Sequence, residues 1–389
     1  MKGLRHSNSY KGLLINISYF FITTGVVCAN ILSIIVLHDY YLGLIIQGCF
    51  YSGCIVGSML SIPLLKLIPR VKCLIACTLI SALYPIVYPI SEIWEKWESI
   101  LIVIVLSVLS GIGTTIFSLA HFLPLIQLQQ SSKRSPCIGI QTGMLSLSGI
   151  LAGTLICLPT IVETISETWH LALISGIFSI ISLTVNLFIK DEDIIINDNR
   201  GITLHNLSYS LSYFSIGTCR AFCYGLLPYY LYNKLGFSYE IYLLGLYLIS
   251  INIGYIAGSL FTGFGLFFKL EKWILIFCML YGFMGFIPMI LDLYSTTNDE
   301  TIILVFLAGF IFSAQSGSLE ALLNKIIAVN TKKPRLQMII FKAISSGTCA
   351  GFFFAGCFFY EIVFFVALGL VVTVSIALTL ILKFYMTRE

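Results

Sequence analysis

Three charged side chains stand inside otherwise apolar runs of this sequence: Arg220, Glu320 and Lys342. A charge in lipid is costly, so it normally faces a cavity or a partner. Arg220 lies about thirteen residues into its run, roughly 20 Å along a helix, too deep for its head group to snorkel to a membrane surface. A guanidinium offers a planar fork of donors that matches a carboxylate or phosphate. One reading is therefore a cavity-facing cation that takes an anionic group of a substrate. The other is a structural partner for a backbone carbonyl or a polar side chain. No acidic residue is expected at the level of Arg220, because Glu320 falls near one end of its run and Asp292 and Glu361 sit at run ends.

Glu320 and Lys342 come from adjacent runs and are expected at similar depth, near the cytoplasmic side. An ion pair between them would neutralise two otherwise expensive charges. The same pair could act as a gate, or Glu320 could carry a coupling proton. Ion pairing is the preferred expectation. In the first half of the chain His121 and Gln141 occupy the matching places, and a histidine can exchange a proton near neutral pH. A lone histidine is more commonly a hydrogen-bonded structural residue.

Uncharged candidates for a binding cavity are Thr23, Asn30, Gln47, Tyr224, Asn252 and Gln315, with Thr24, Tyr51, Thr114 and Thr115 beside them. Most such groups are expected to be interhelical hydrogen bonds. The twelve cysteines lie scattered in apolar runs without a CxxC pair, which suits small buried hydrophobes. No Walker motif, metal-ligand spacing or Ser/His/Asp set is present, which argues against an ATP-driven pump. No cofactor and no metal are expected.

The elements that must position these residues follow from composition. Of 389 residues 58% are hydrophobic and only 10% charged, too few charges to cover a water-soluble protein of this size. Apolar runs of about 20 residues, enough to cross a bilayer as helices, recur between short polar breaks. They lie near residues 12–37, 41–65, 71–90, 99–124, 136–160, 170–189, 207–232, 239–265, 273–293, 301–323, 337–358 and 362–384. The first is too long for a cleaved signal peptide and reads as the first span. With both termini cytoplasmic, 18 of the 22 Lys and Arg fall on the cytoplasmic side and only Lys96 and Lys234 opposite. The net charge of +4 therefore reflects topology and does not point to nucleic acid.

The chain also repeats. Ser18-Tyr19-Phe20-x-Ile22 matches Ser212-Tyr213-Phe214-x-Ile216, Gly53-x-Ile55-x-Gly57-Ser58 matches Gly254-x-Ile256-x-Gly258-Ser259, and Arg134 matches Arg335. The order is kept, as a parallel duplication of six helices requires. The expected units are residues 1–189 and 207–389, joined by a polar cytoplasmic linker at 190–206. The paired glycines read as close helix packing.

This plan resembles the major facilitator superfamily over essentially the whole chain. Of that family's signature after the second helix, Gly57 holds the first position and Lys66 the last basic one, followed by Arg70 and Lys72. Ser61 stands where the family has Asp. The second copy keeps Gly258, Thr262 and Lys269. The resemblance implies an all-α polytopic membrane protein, with a central cavity between two six-helix bundles that rock to give alternating access. The function expected is secondary or facilitative transport of a small polar or anionic solute by a monomer, with protons as a coupling candidate. A bacterial plasma membrane is the expected location. The alternative is a membrane-embedded enzyme or assembly factor acting on lipid-linked substrates. An enzyme of this size would be expected to gather His, Asp or Glu at one membrane face.

Overall fold

The computed structural model describes residues 2–36, 41–84, 97–132, 136–161, 168–188, 210–235, 241–267, 271–330 and 334–386. They are almost wholly helical, with no strand among the described residues. Apolar sequence forces this: without water, backbone N–H and C=O groups must satisfy one another within the segment. The helices are α1 (Lys2–Val36), α2 (Leu42–Leu67), α3 (Arg70–Ala82), α4 (Trp97–Ser132), α5 (Pro136–Ile161) and α6 (Thr168–Leu187). Then come α7 (Ser210–Ala221), a π-helical turn (Phe222–Leu226), α8 (Leu227–Leu235), α9 (Ile241–Phe267), α10 (Glu271–Leu293), α11 (Asn298–Asn330) and α12 (Pro334–Met386).

Five segments are long and apolar enough on their own to cross a membrane: Leu42–Leu67, Ile100–His121, Tyr242–Leu266, Asn298–Ile327 and Arg335–Val371. Large hydrophobic side chains such as Met59, Leu67, Ile180 and Phe264 face outward, as a lipid-facing surface requires. The linker at 190–206 lies outside the described residues.

The runs at 337–358 and 362–384 are two helices joined without a loop: they share the label α12 and meet at a kink at Phe359 (φ −139, ψ 52), beside Tyr360 and Glu361. One expectation about boundaries needs correction. The run at 301–323 extends to Asn330, because the polar residues after Leu323 continue the helix instead of capping it.

The glycine pairs have the same environment in both halves. A Cβ on Gly53 would lie 2.1 Å from the carbonyl oxygen of Val108, and one on Gly57 2.7 Å from that of Ile112. On Gly254 it would meet the Phe310 carbonyl oxygen at 2.2 Å, and on Gly258 that of Ala314 at 2.0 Å. Only a missing side chain lets α2 approach α4, and α9 approach α11, this closely.

The first six helices meet the later ones chiefly along α5 with α9 and α2 with α12. Along the first seam a Cβ on Gly153 would lie 2.6 Å from the Gly245 carbonyl oxygen, and one on Gly149 2.2 Å from the Asn252 amide oxygen. On the second, Tyr51 and Phe353 lie 5.6 Å apart and Gly48 abuts Phe354. The largest apolar core runs across these seams, from Ile46 and Phe50 to Phe222, Tyr247 and Phe312.

Candidate functional site

Arg220 forms an ion pair with Glu320 of α11, and this overturns two expectations. Arg220 does have an acidic partner at its level. The partner of Glu320 is Arg220, where Lys342 was expected. The reason is depth. Arg220 lies ten residues after the start of α7 and Glu320 ten before the end of α11, about 15 Å in each case. A run that ends at residue 323 places Glu320 too near the end of its helix, whereas α11 continues to Asn330. Lys342, eight residues into α12, lies close enough for its charge to act on both Arg220 and Glu320.

Tyr255 of α9 completes the group by donating its hydroxyl proton to Glu320 Oε2 at 2.5 Å. Arg220 Nη2 donates to the same oxygen. Among the described residues no hydrogen bond engages Arg220 Nε or Nη1, and the side chain keeps 23% of its surface accessible while that of Glu320 keeps 4%. Most of the guanidinium fork therefore remains available to a second acceptor.

The π turn begins two residues after Arg220. Pro228 has no N–H to offer the Tyr224 carbonyl one turn back, and its ring would clash with that carbonyl in a regular α-helix. The turn widens instead, and Leu227 N–H bonds to Phe222 O. Such turns are frequent at functional sites. Gly225 makes this one possible here, since a Cβ would fall 2.0 Å from the Phe353 ring. The widened turn carries Tyr224, whose hydroxyl donates to Asn252 Oδ1 at 3.1 Å.

Of the residues singled out in the sequence, the structure thus brings together Arg220, Glu320, Lys342, Tyr224 and Asn252. It separates the others. Asn30 and Gln47 form a network with Tyr84, in which Gln47 Nε2 donates to Asn30 O at 2.5 Å and Tyr84 donates to Asn30 Oδ1 at 2.8 Å. Thr23 bonds the carbonyl of Tyr19 in its own helix at 2.6 Å. Gln315 is buried on a face of α11 about 140° round from Glu320, at 100° per residue. His121 is buried beside Phe117, whose carbonyl its Nδ1 meets at 3.0 Å. Gln141 lies in α5, and its side chain is outside the described residues.

Three residues of this region were not anticipated. Tyr255 occupies the place in the second glycine motif that Cys54 occupies in the first, and that departure between copies was the available signal. Ser313 and Ser316 stand in the polar stretch leading to Glu320, and both are buried. The eleven described cysteines are free thiols. Among the described residues no group of His, Cys, Asp and Glu could hold a metal.

No protein-family model matches the sequence, and no curated protein matches it.

Proposed function

We propose that this chain is a secondary transporter that moves a small anionic solute across a membrane by alternating access. On this reading it has twelve transmembrane helices in two six-helix halves, 1–189 and 207–389, of the major facilitator kind. Its termini face the cytoplasm and its place is a plasma membrane of bacterial type.

The observation that carries the proposal is Arg220: a deeply placed guanidinium, held at one nitrogen by Glu320 and open at the others. A carboxylate fixed on one side and an exposed fork on the other make a site that is charged but not filled. The matching glycine contacts support the duplication, and the α2–α12 and α5–α9 seams are equivalent under it. Two halves joined along symmetric seams can rock about a site between them. Glu320 and Lys342 become groups whose pairing with Arg220 changes as solute enters and leaves.

The test is uptake of labelled monocarboxylates, dicarboxylates and phosphate esters into liposomes holding the purified protein, with and without a pH gradient. Saturable uptake of at least one anion is expected. Arg220→Lys keeps the charge but loses the fork, so it should reduce that uptake roughly thirtyfold at unchanged melting temperature. Failure to transport any anion, or an indifferent Lys variant, would overturn the proposal.

A further inference from the structure

Above Glu320, Ser316 and Ser313 lie on nearly the same side of α11, each within about 40° of Glu320 and about 60° from one another by helical geometry. The neighbours of that face are fixed by contacts on either side. Phe312 meets α7, its ring 5.4 Å from that of Phe222 and its carbonyl oxygen 3.4 Å from Cys219 Sγ. Gly317 meets α9, where a Cβ would lie 2.3 Å from the Tyr255 carbonyl oxygen. The serine face therefore looks into the interval between α7 and α9.

Two crossbars bound that interval. Below is Arg220–Glu320–Tyr255. Above, Tyr247 of α9 donates its hydroxyl to the Cys223 carbonyl at 2.7 Å. Between them the serines are 1% and 5% exposed, and neither Oγ has a hydrogen-bond partner among the described residues. Several other helical hydroxyls of the chain are satisfied within their own helix. Ser58, Thr78, Ser107 and Thr218 each bond the carbonyl one turn back. A buried hydroxyl left without a partner is unfavourable and is normally matched by protein, water or ligand.

We infer that Ser313 and Ser316 bind hydroxyl groups of the solute, which makes the substrate a hydroxylated anion such as a hydroxy acid or a sugar phosphate. The inference rests on the reading that Arg220 holds the anionic group. The chemistry selects among ligands. A hydroxyl both donates and accepts, as the two serine hydroxyls do. An apolar tail would leave both serines unmatched. A second anionic group beside Glu320 would be repelled, and a cation would meet Arg220.

The test compares matched anions by equilibrium binding to the purified full-length protein: propionate against lactate and glycerate, and methyl phosphate against glycerol 3-phosphate. The two series distinguish a carboxylate from a phosphate as the anionic group. Wild type should bind the hydroxylated member at least about tenfold more tightly. The Ser313→Ala/Ser316→Ala protein should lose that preference while keeping its affinity for the deoxy member. Each single variant should lose part of it, which covers the case of a double variant that does not fold. Absence of preference in wild type, or its survival in the variants, overturns the inference and means that water alone satisfies the serines. If no anion binds in an Arg220-dependent way, the underlying reading fails as well. That result is distinct, because the deoxy anions would then fail too.

Discussion

Two carboxylates in the second half each sit beside a cation and under a tyrosine hydroxyl, and their surroundings differ. Asp292, near the end of α10, is fully buried. Its Oδ1 accepts from Lys234 at 2.9 Å and Ser295 at 3.1 Å, and its Oδ2 from Tyr230 at 2.5 Å. Lys234 also donates to the Asp292 backbone carbonyl and to the Ser295 hydroxyl, so its ammonium is used in full. At Glu320 both donors fall on Oε2, and Arg220 offers one nitrogen of three. The Asp292 pair is saturated and ties α8 to α10. The central pair has spare valence on the side of the cation. Satisfied buried polar groups fix structure, whereas spare ones mark places where something else is to bind.

Removing one partner of each pair should separate the two roles most sharply. Lys234→Met strands the buried Asp292, and breaking a buried pair this way costs about 3 kcal/mol or more. The melting temperature should fall by several degrees with anion affinity unchanged. Altered affinity at normal stability would erase the distinction. At the central pair Arg220→Lys should do the reverse, weakening anion binding by about 2 kcal/mol, the scale of a charge-assisted hydrogen bond, at unchanged melting temperature.

A smaller effect of opposite sign is expected from Glu320→Gln. The internal carboxylate competes with the solute for Arg220, so neutralising it should raise affinity for phosphate or acetate about tenfold, or 1.4 kcal/mol. Weaker binding would show that Glu320 orients the guanidinium and does not compete for it. The smallest change is Ser316→Ala. Removing a buried hydroxyl without a partner should stabilise the solute-free protein by about 1 kcal/mol, seen as a modest rise in melting temperature. A fall there would give the serine a structural role.

The helices were legible because hydropathy over about 20 residues reports a bilayer directly. The glycine contacts were legible because a carbonyl 2 Å from a would-be Cβ tolerates no other residue. The Arg220–Glu320 pair was hidden by an end effect. Hydropathy falls off after Leu323, yet the helix runs on through Asn324, Lys325 and Asn330, which moves Glu320 to the level of Arg220. Tyr255 was hidden because repeat matching rewards identity and passes over the position where two copies differ. For Asn30 and Gln47 side-chain type alone does not tell a solute contact from an interhelical bond, and the structure assigns them to the latter.

The π turn at Phe222–Leu226 has a further consequence, for chain length. A π turn is an α-helix that holds one residue too many. Deleting a single residue there would remove that extra residue without touching the connections at either end, leaving Pro228 as a local kink. It would also turn everything before the deletion by about 100° relative to Tyr230 and Lys234. Arg220 would then point away from Glu320, and a cation at that position would have nothing to hold. Length and charge are therefore coupled at this point of the chain. A natural variant one residue shorter between 222 and 226 should also have exchanged the arginine for a neutral residue.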